Sequence, residues 1–283
     1  MCGICGEVRF DGASPSVAAI SIMADVLAPR GPDSAGVMVR GNVGLGHRRL
    51  RIIDLSDKSQ QPMVDPDLGL SLVFNGCIYN FRELRSELEA KGYRFFSDGD
   101  TEVILKAWHA WGTDCVSRFH GMFAFVIHER DTGRVVMARD RFGIKPLYLA
   151  EVSGGLRFAS SLPAIVKAGG VDTAIDVTAL HHYMTFHAVV PPPRTIYKGV
   201  RKLPPATIRV YQPDGSFEDK RYWDPAYTRR AEDARREHEA RLAAVIDAGA
   251  CALAPTTVVD LTPMGTGGDP EVVRVGQGPL DAI

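Results

Sequence analysis

The stretch "GMFAFVIHERDTGRVVMARDR", residues 121–141, limits the possible folds of this chain more than any other. Two runs rich in aromatic and β-branched residues are joined by a short polar turn containing Gly133, which predicts an antiparallel hairpin. "LYLAEVSGGLRFAS" repeats the signature at 147–160. Gly6 to Phe10 alternates like a half-buried strand, and strand-like stretches lie around Val37 and from Leu45 to Ile53. "LSLVFNGCIYN" reads as a buried strand running into a turn, and a strand pair is expected around "PPATIRVYQPDGSFEDKRYW". Helical periodicity marks Pro15–Leu27, the segment carrying Phe81, Leu84 and Leu88 on one face, Thr101–Trp111 and Asp176–Phe186, and the charged stretch Arg229–Ala248 is helix-compatible. Most strand connections are too short for crossover helices, so antiparallel pairing and an α+β fold are expected, not a doubly wound parallel sheet.

The chain has 283 residues and 45% hydrophobic content, enough to bury a sizeable core. Its formal charge is −1, from 33 basic and 34 acidic residues. No strong field therefore favours nucleic acid or an anionic membrane, and a small molecule or another protein is the expected partner. The five cysteines (Cys2, Cys5, Cys77, Cys115, Cys251) are odd in number and scattered. That predicts reduced thiols and a cytoplasmic location. No membrane span or signal peptide is recognisable.

The chain opens "MCGICGEVRF". A structural zinc site needs four ligands, and the other cysteines stand alone. A thioredoxin-like redox pair sits at a helix N-terminus, whereas this pair precedes a strand. Burial as small apolar residues suits Cys5 but not Cys2. With Met1 removed, Cys2 would carry both a thiol and a free α-amine, whose unperturbed pKa of about 7.7–8.0 suits a general base at working pH. One residue would then supply nucleophile and base for attack on a carboxamide, forming a thioester and releasing ammonia.

Acyl transfer also needs donors for an oxyanion. In "FNGCIYN" the Asn75 side chain and the Gly76 N–H can converge on one point; an ordinary Asn-Gly turn is the competing reading. In "GHRRLRIID" strand alternation puts Arg49 and Arg51 on one face and Arg48 on the other, so a cation is available for a substrate carboxylate, although arginines on a strand are commonly a solvated face. "SDGDTEVI" offers Asp98 and Asp100 just before a helix, as anions for an ammonium or as an N-cap for a helix starting near Thr101. His181, His182 and His187 read as structural, and no metal is proposed.

In order along residues 1–165, "MCGICG", "RGPDSAG", "GHRRLRIIDLS", "QPM", "FNGCIYN", "GDTEVI", "FHGMFAFVI" and "ARDRFGIKPLYLA" resemble the glutaminase domain of the asparagine synthetase family, class II glutamine amidotransferases with an N-terminal nucleophile. The resemblance implies an N-terminal-nucleophile hydrolase sandwich of two antiparallel sheets between helical layers (αββα). It puts the nucleophile on Cys2, the oxyanion hole on Asn75 and Gly76, and the carboxylate-binding arginine on Arg49. The backbone of Ile52 and Ile53 would line the same site, and the ammonium-binding aspartate would be Asp100. At Cys77 the family has a glutamate that helps hold the ammonium, so one carboxylate is missing from the substrate pocket. "FNGCIYN" with "VDTAID", "LHHYMTFHAVVPPPRTI" and "GVRKLPPAT" also resembles the N-acetylglutaminylglutamine amidotransferases within this family.

The expected organisation is a glutaminase domain at 1–165, the end of that domain with a connecting region at 166–228, and at 229–283 the start of an ATP-dependent synthetase domain with a poorly ordered tail. The family's Ser-Gly-Gly-x-Asp-Ser loop is not found, "GTGGDPEV" being a faint echo, and truncation or a frame shift near residue 250 is expected. The expected reaction is hydrolysis of L-glutamine to glutamate and ammonia, which would feed an ATP-dependent carboxylate amidation. This half needs no cofactor; ATP and Mg belong to the synthetase domain. A homodimer or a separate synthetase chain is the expected macromolecular partner. The rivals are a degenerate, non-catalytic module that binds a partner and a redox or zinc protein built on Cys2 and Cys5.

Overall fold

The computed structural model describes residues 2–225 without a break and, beyond them, two short paired strands, Val258–Asp260 and Glu271–Arg274. The expected helix at Arg229–Ala248 lies outside the described residues, as does most of the expected tail. Met1–Asp224 forms one compact unit.

Along that unit the chain forms β1 (Gly3–Arg9), α1 (Val17–Val26), β2 (Ser34–Arg40), β3 (Val43–Arg49), β4 (Met63–Asp65), β5 (Leu70–Ile78), α2 (Phe81–Ala90), α3 (Asp100–Trp111) and α4 (Cys115–Arg118). It continues with β6 (Gly121–Glu129), β7 (Val135–Arg139), β8 (Tyr148–Val152), β9 (Gly155–Ala159), α5 (Leu162–Ala168), α6 (Val177–Thr185), β10 (Arg201–Lys202), β11 (Thr207–Tyr211) and β12 (Phe217–Arg221). The strands make two six-stranded sheets, ordered β10-β8-β9-β1-β3-β2 and β12-β11-β7-β6-β5-β4. Every pairing in them is antiparallel. The α+β sandwich expected from the sequence is the fold observed. Among the described residues no helix is long and apolar enough to cross a membrane.

Three apolar clusters define the layers. Ile4, Val8, Leu45, Val73, Val126 and Phe158 pack between the sheets. Cys5, Ile20, Met23, Leu27, Ala159 and Ile165 pack α1 and α5 onto the first sheet. Leu72, Phe74, Leu84, Val103, Phe123 and Phe125 pack α2 and α3 onto the second. Both sheets are thus covered on both faces, which is why a strand such as Phe123–Ile127 is apolar without interruption. Within β5, Leu72, Phe74 and Ile78 face the helices, while Val73, Asn75 and Cys77 share the opposite face, toward the first sheet.

Local chemistry fits this plan. Ser16 caps α1 by accepting from the Ala19 N–H at 3.2 Å. Gly133 takes the positive φ of 68° that the β6–β7 turn requires. Gly46 lets α1 sit close on β3: a Cβ there would lie 2.8 Å from Cys5 Sγ and 2.9 Å from Ile20 Cγ2. The strand expected to reach Ile53 stops at Arg49, because β1 pairs only as far as Gly3↔Arg48 and β2 only as far as Ser34↔Arg49, so no neighbour remains. His181 and His187 are exposed, and the half-buried His182 ring lies tilted between those of His181 and Phe186, with centroids 6.2 and 5.5 Å away.

Phe125 is fully buried between Phe119 and Phe123. Phe125→Ala is expected to lower stability by about 3–5 kcal/mol, read as a reduced denaturant midpoint at unchanged slope.

Candidate active site

The two opening cysteines part company at once. Cys5 points into the layer between the first sheet and its helices, where burial pushes its thiol up to about 12. Cys2 opens instead on a cavity of about 250 Å³ between the ends of β3 and β5 and the start of α3. Its Sγ accepts from the Leu50 N–H at 3.3 Å and its carbonyl accepts from Arg30 Nε at 3.2 Å. Burial raises the Cys2 thiol above its ordinary pKa, with Asp100 adding to the rise, while the Leu50 hydrogen bond and the Arg49 charge oppose it. Among the described residues no cluster of His, Cys, Asp and Glu could hold a metal ion.

The cavity is also lined by Asn75, Gly76 and Cys77 from β5, by Arg49 and the Ile52–Ile53 segment, and by Asp100. All eight residues singled out from the sequence therefore share it. Asn75–Gly76 is not a turn; it lies within the strand, opposite Ala124 and Phe123, and the chain turns only at Tyr79. Asn75 is 1% exposed, and neither end of its carboxamide has a protein partner. An unpaired buried amide is costly, so such a group marks a place where a ligand can bond.

The Gly76 N–H follows from register. Phe123, opposite it, bonds Asp140 through both its N–H and its carbonyl, on the side of β7. Gly76 and Phe123 are thus a non-hydrogen-bonded pair, and the Gly76 N–H points away from β6. The N–H groups of Phe74 and Ile78 point the same way, and β4 reaches only to Leu72 on that side. Gln61 Oε1 accepts from Phe74 N at 2.6 Å and Asp100 Oδ2 from Ile78 N at 2.9 Å. The Gly76 N–H, between them, opens on the cavity beside Asn75. A Cβ at Gly76 would lie 2.3 Å from the Met122 carbonyl, so no side chain fits.

Arg49 and Asp100 supply opposite charges. The Arg49 guanidinium is buried and donates to the carbonyls of Ser56, at 2.8 Å, and Asp54. That loop is itself pinned by the Asp54 carboxylate. Partial burial pushes the carboxyl up, but hydrogen bonds from Ser56, Ser59 and the Asp98 amide hold it well below the usual range. Arg51 lies past the strand end and pairs with Asp57 on the surface at 2.6 Å, so it shares no face with Arg49. Asp100 is the first residue of α3, whose N-cap is Gly99, so neither aspartate caps the helix through its side chain. Burial raises Asp100 to about 6 against the pull of the Ile78, Asp100 and Thr101 amides. Asp98 is exposed and pairs with Arg85 at 3.6 Å, outside the cavity.

Cys77 lines the wall beside Asp100; burial and then the Asp100 charge raise its thiol, while Lys145 opposes them. Gln61 and Lys145 are among the lining residues to which the sequence reading assigns no role. Gln61 opens the "QPM" motif, but its part, accepting from a strand edge, is not legible there. Lys145, in "ARDRFGIKPLYLA", follows a buried Arg139–Asp140 pair and Gly143, which turns the chain with φ 66°. That combination is a legible sign of a built loop.

A family model described as a glutamine amidotransferase domain matches residues 1–223. The chain is 41% identical over 204 residues to asparagine synthetase [glutamine-hydrolyzing] 1 of Bacillus subtilis, covering 72% of this chain and 32% of that protein. It is 33% identical over 227 residues to asparagine synthetase [glutamine-hydrolyzing] 3 of the same organism, covering 79% and 37%. It therefore spans about a third of the length of these relatives. Among solved structures, the glutamine phosphoribosylpyrophosphate amidotransferase of B. subtilis matches 79% of this chain and 50% of its own, with a TM-score of 0.57 at 19% identity, a likeness of fold.

Asp100 also has a consequence for stability. A carboxyl whose pKa is higher folded than unfolded binds more protons in the native state, so stability falls as pH rises from about 4 to 6 and the cost is complete above 6. Asp100→Asn should therefore melt above the native chain at pH 7, by on the order of 2 kcal/mol, and lose that advantage below pH 4. Melting curves across this range check it.

Proposed function

The chain belongs to the glutamine amidotransferase domain family, and from that premise we propose that it hydrolyses the side-chain amide of L-glutamine. One observation carries the reading: a thiol, an unpartnered carboxamide, a buried guanidinium and a buried carboxylate all open on a single cavity sized for an amino acid. Arg49 would take the substrate α-carboxylate and Asp100, ionised above pH 6, the α-ammonium. The Ile52–Ile53 segment would close over the chain between them. The side-chain amide would then reach Cys2.

With Met1 removed, the Cys2 α-amine takes the thiol proton and Sγ attacks the amide carbon. The oxygen that becomes negative accepts hydrogen bonds from the Asn75 side chain and the Gly76 N–H. The C–N bond breaks as the ammonium proton passes to the departing nitrogen, which leaves as ammonia. Water, deprotonated by the same amine, then attacks the thioester, and glutamate leaves as the thiol is restored. No metal or organic cofactor enters these steps. The ammonia would feed an ATP- and Mg-dependent amidation of a carboxylate by a synthetase unit, on this polypeptide or a separate one.

A non-catalytic partner-binding module is the second reading, and Cys77 in the amino-acid pocket is the observation that favours it. Ammonia release from glutamine by protein whose mass shows Met1 removed separates the two. The native chain should release ammonia, Cys2→Ala none, and Asn75→Ala roughly 10²–10³-fold less per turnover. If the native chain and Cys2→Ala behave alike, hydrolysis is wrong and the module reading stands.

Cys77→Glu should restore a second carboxylate at the ammonium and lower the KM for glutamine about tenfold, since a charge-assisted hydrogen bond contributes roughly 1.5–3 kcal/mol. Steady-state kinetics of the two chains check this.

A further inference from the structure

Lys145 is 3% exposed and still lines the cavity. Its backbone is held from both sides. Asp140 accepts from the N–H groups of Phe142, Ile144 and Lys145 at 3.1, 2.9 and 2.9 Å. Arg139 donates to the Lys145 and Gly143 carbonyls at 2.8 and 2.6 Å, and to the Leu203 carbonyl at 2.6 Å. Phe142 and Ile144 stand exposed, while Lys145 turns inward. A buried acid and a buried arginine are thus both committed to fixing the four residues Phe142–Lys145, which bring the lysine to the cavity wall.

We infer that Lys145 is a positioning residue for the proposed reaction, its ammonium stabilising the thiolate of Cys2; this rests on Cys2 being the nucleophile. Cys2 and Cys77 line the same cavity as Lys145. Burial and the neighbouring Arg30 push Lys145 toward the neutral form, while Asp140, Cys2 and Cys77 favour its charge. Around Cys2 the charged groups are few. Arg49 at the end of β3 is engaged with the Asp54 and Ser56 carbonyls. Arg30, just after α1, bonds the Cys2 carbonyl. Asp100 at the start of α3 disfavours the thiolate, and the amino terminus favours it. Cys77 on β5 is the other titratable neighbour of the ammonium. Since burial raises the Cys2 thiol, a cation held rigidly in the same cavity would offset part of that rise and increase the fraction of reactive sulfur.

The test is the pH profile of Cys2 alkylation by iodoacetamide, quantified by mass on the N-terminal peptide of the full chain, without glutamine. Lys145→Met should move the profile up by about one pH unit and slow alkylation at pH 7 about tenfold, and Lys145→Arg should stay within about twofold of the native chain. Lys145→Gln, which keeps a polar head without charge, reads the same shift if the methionine variant does not fold. Profiles that coincide for the native and uncharged chains would overturn the inference, as would an arginine variant shifted as far as the methionine one. Because alkylation is read without substrate, a lysine-dependent profile in a chain that releases no ammonia would refute hydrolysis, and with it the role of Lys145 in that reaction, and leave only its electrostatic effect on the Cys2 thiolate standing.

Discussion

The structure turns on a stretch of sheet edge that has no neighbouring strand. β5 outruns β4, and the N–H groups of Phe74, Gly76 and Ile78 point toward a side where no ladder exists. Buried backbone donors must be met by something. Gln61 meets the first and Asp100 the third, which fixes the loop before β4 and the start of α3 against the same edge. The middle donor is left to the cavity. A site that offers a main-chain N–H therefore follows from the mismatch in length between two adjacent strands, and the side chains assemble around it.

Charge burial is the second constraint. Arg49 and Asp100 sit almost out of solvent on opposite walls, and each is held by backbone: the guanidinium by two carbonyls, the carboxylate by amides. Holding them apart leaves each with capacity for a partner of opposite sign. Had they paired directly, the fold would be easier to stabilise and the cavity would have no use for a zwitterion. Asp54 extends the arrangement outward, tying the 50–59 loop that carries the carbonyls of the arginine clamp.

What the sequence makes legible follows the range of the interaction concerned. Hairpins such as β6–β7 are local, and their turn residues announce them. The separation of Arg48 from Arg49 follows from strand alternation, but Arg51 does not obey it, because the strand ends where its two neighbours end, and pairing partners are not visible in a linear pattern. Asn75–Gly76 carries the dipeptide of a tight turn and is strand instead, since what decides it is nine paired positions against β6. Asp98 and Asp100 are two residues apart in similar surroundings of sequence; the family resemblance selects Asp100, and its burial and reach to the Ile78 amide give the physical reason. Gln61 and Lys145 lie within the motifs "QPM" and "ARDRFGIKPLYLA", but their parts are not legible there, because each serves a group more than ten positions away.

The loop that bears Lys145 also sets an order of assembly. Arg139 is tied to the Leu203 carbonyl, its own carbonyl accepts from Tyr222 Oη at 2.8 Å, and the Asp140 carbonyl accepts from Ala206 N at 2.9 Å. These anchors lie among the last residues of the compact unit. During synthesis Cys2 emerges from the ribosome first, yet the wall facing it acquires its final anchors only when β10 to β12 have been made and docked. The reactive end of the chain therefore stays incomplete until Tyr222 has been made, and the sulfur meets its full surroundings only once the domain is closed.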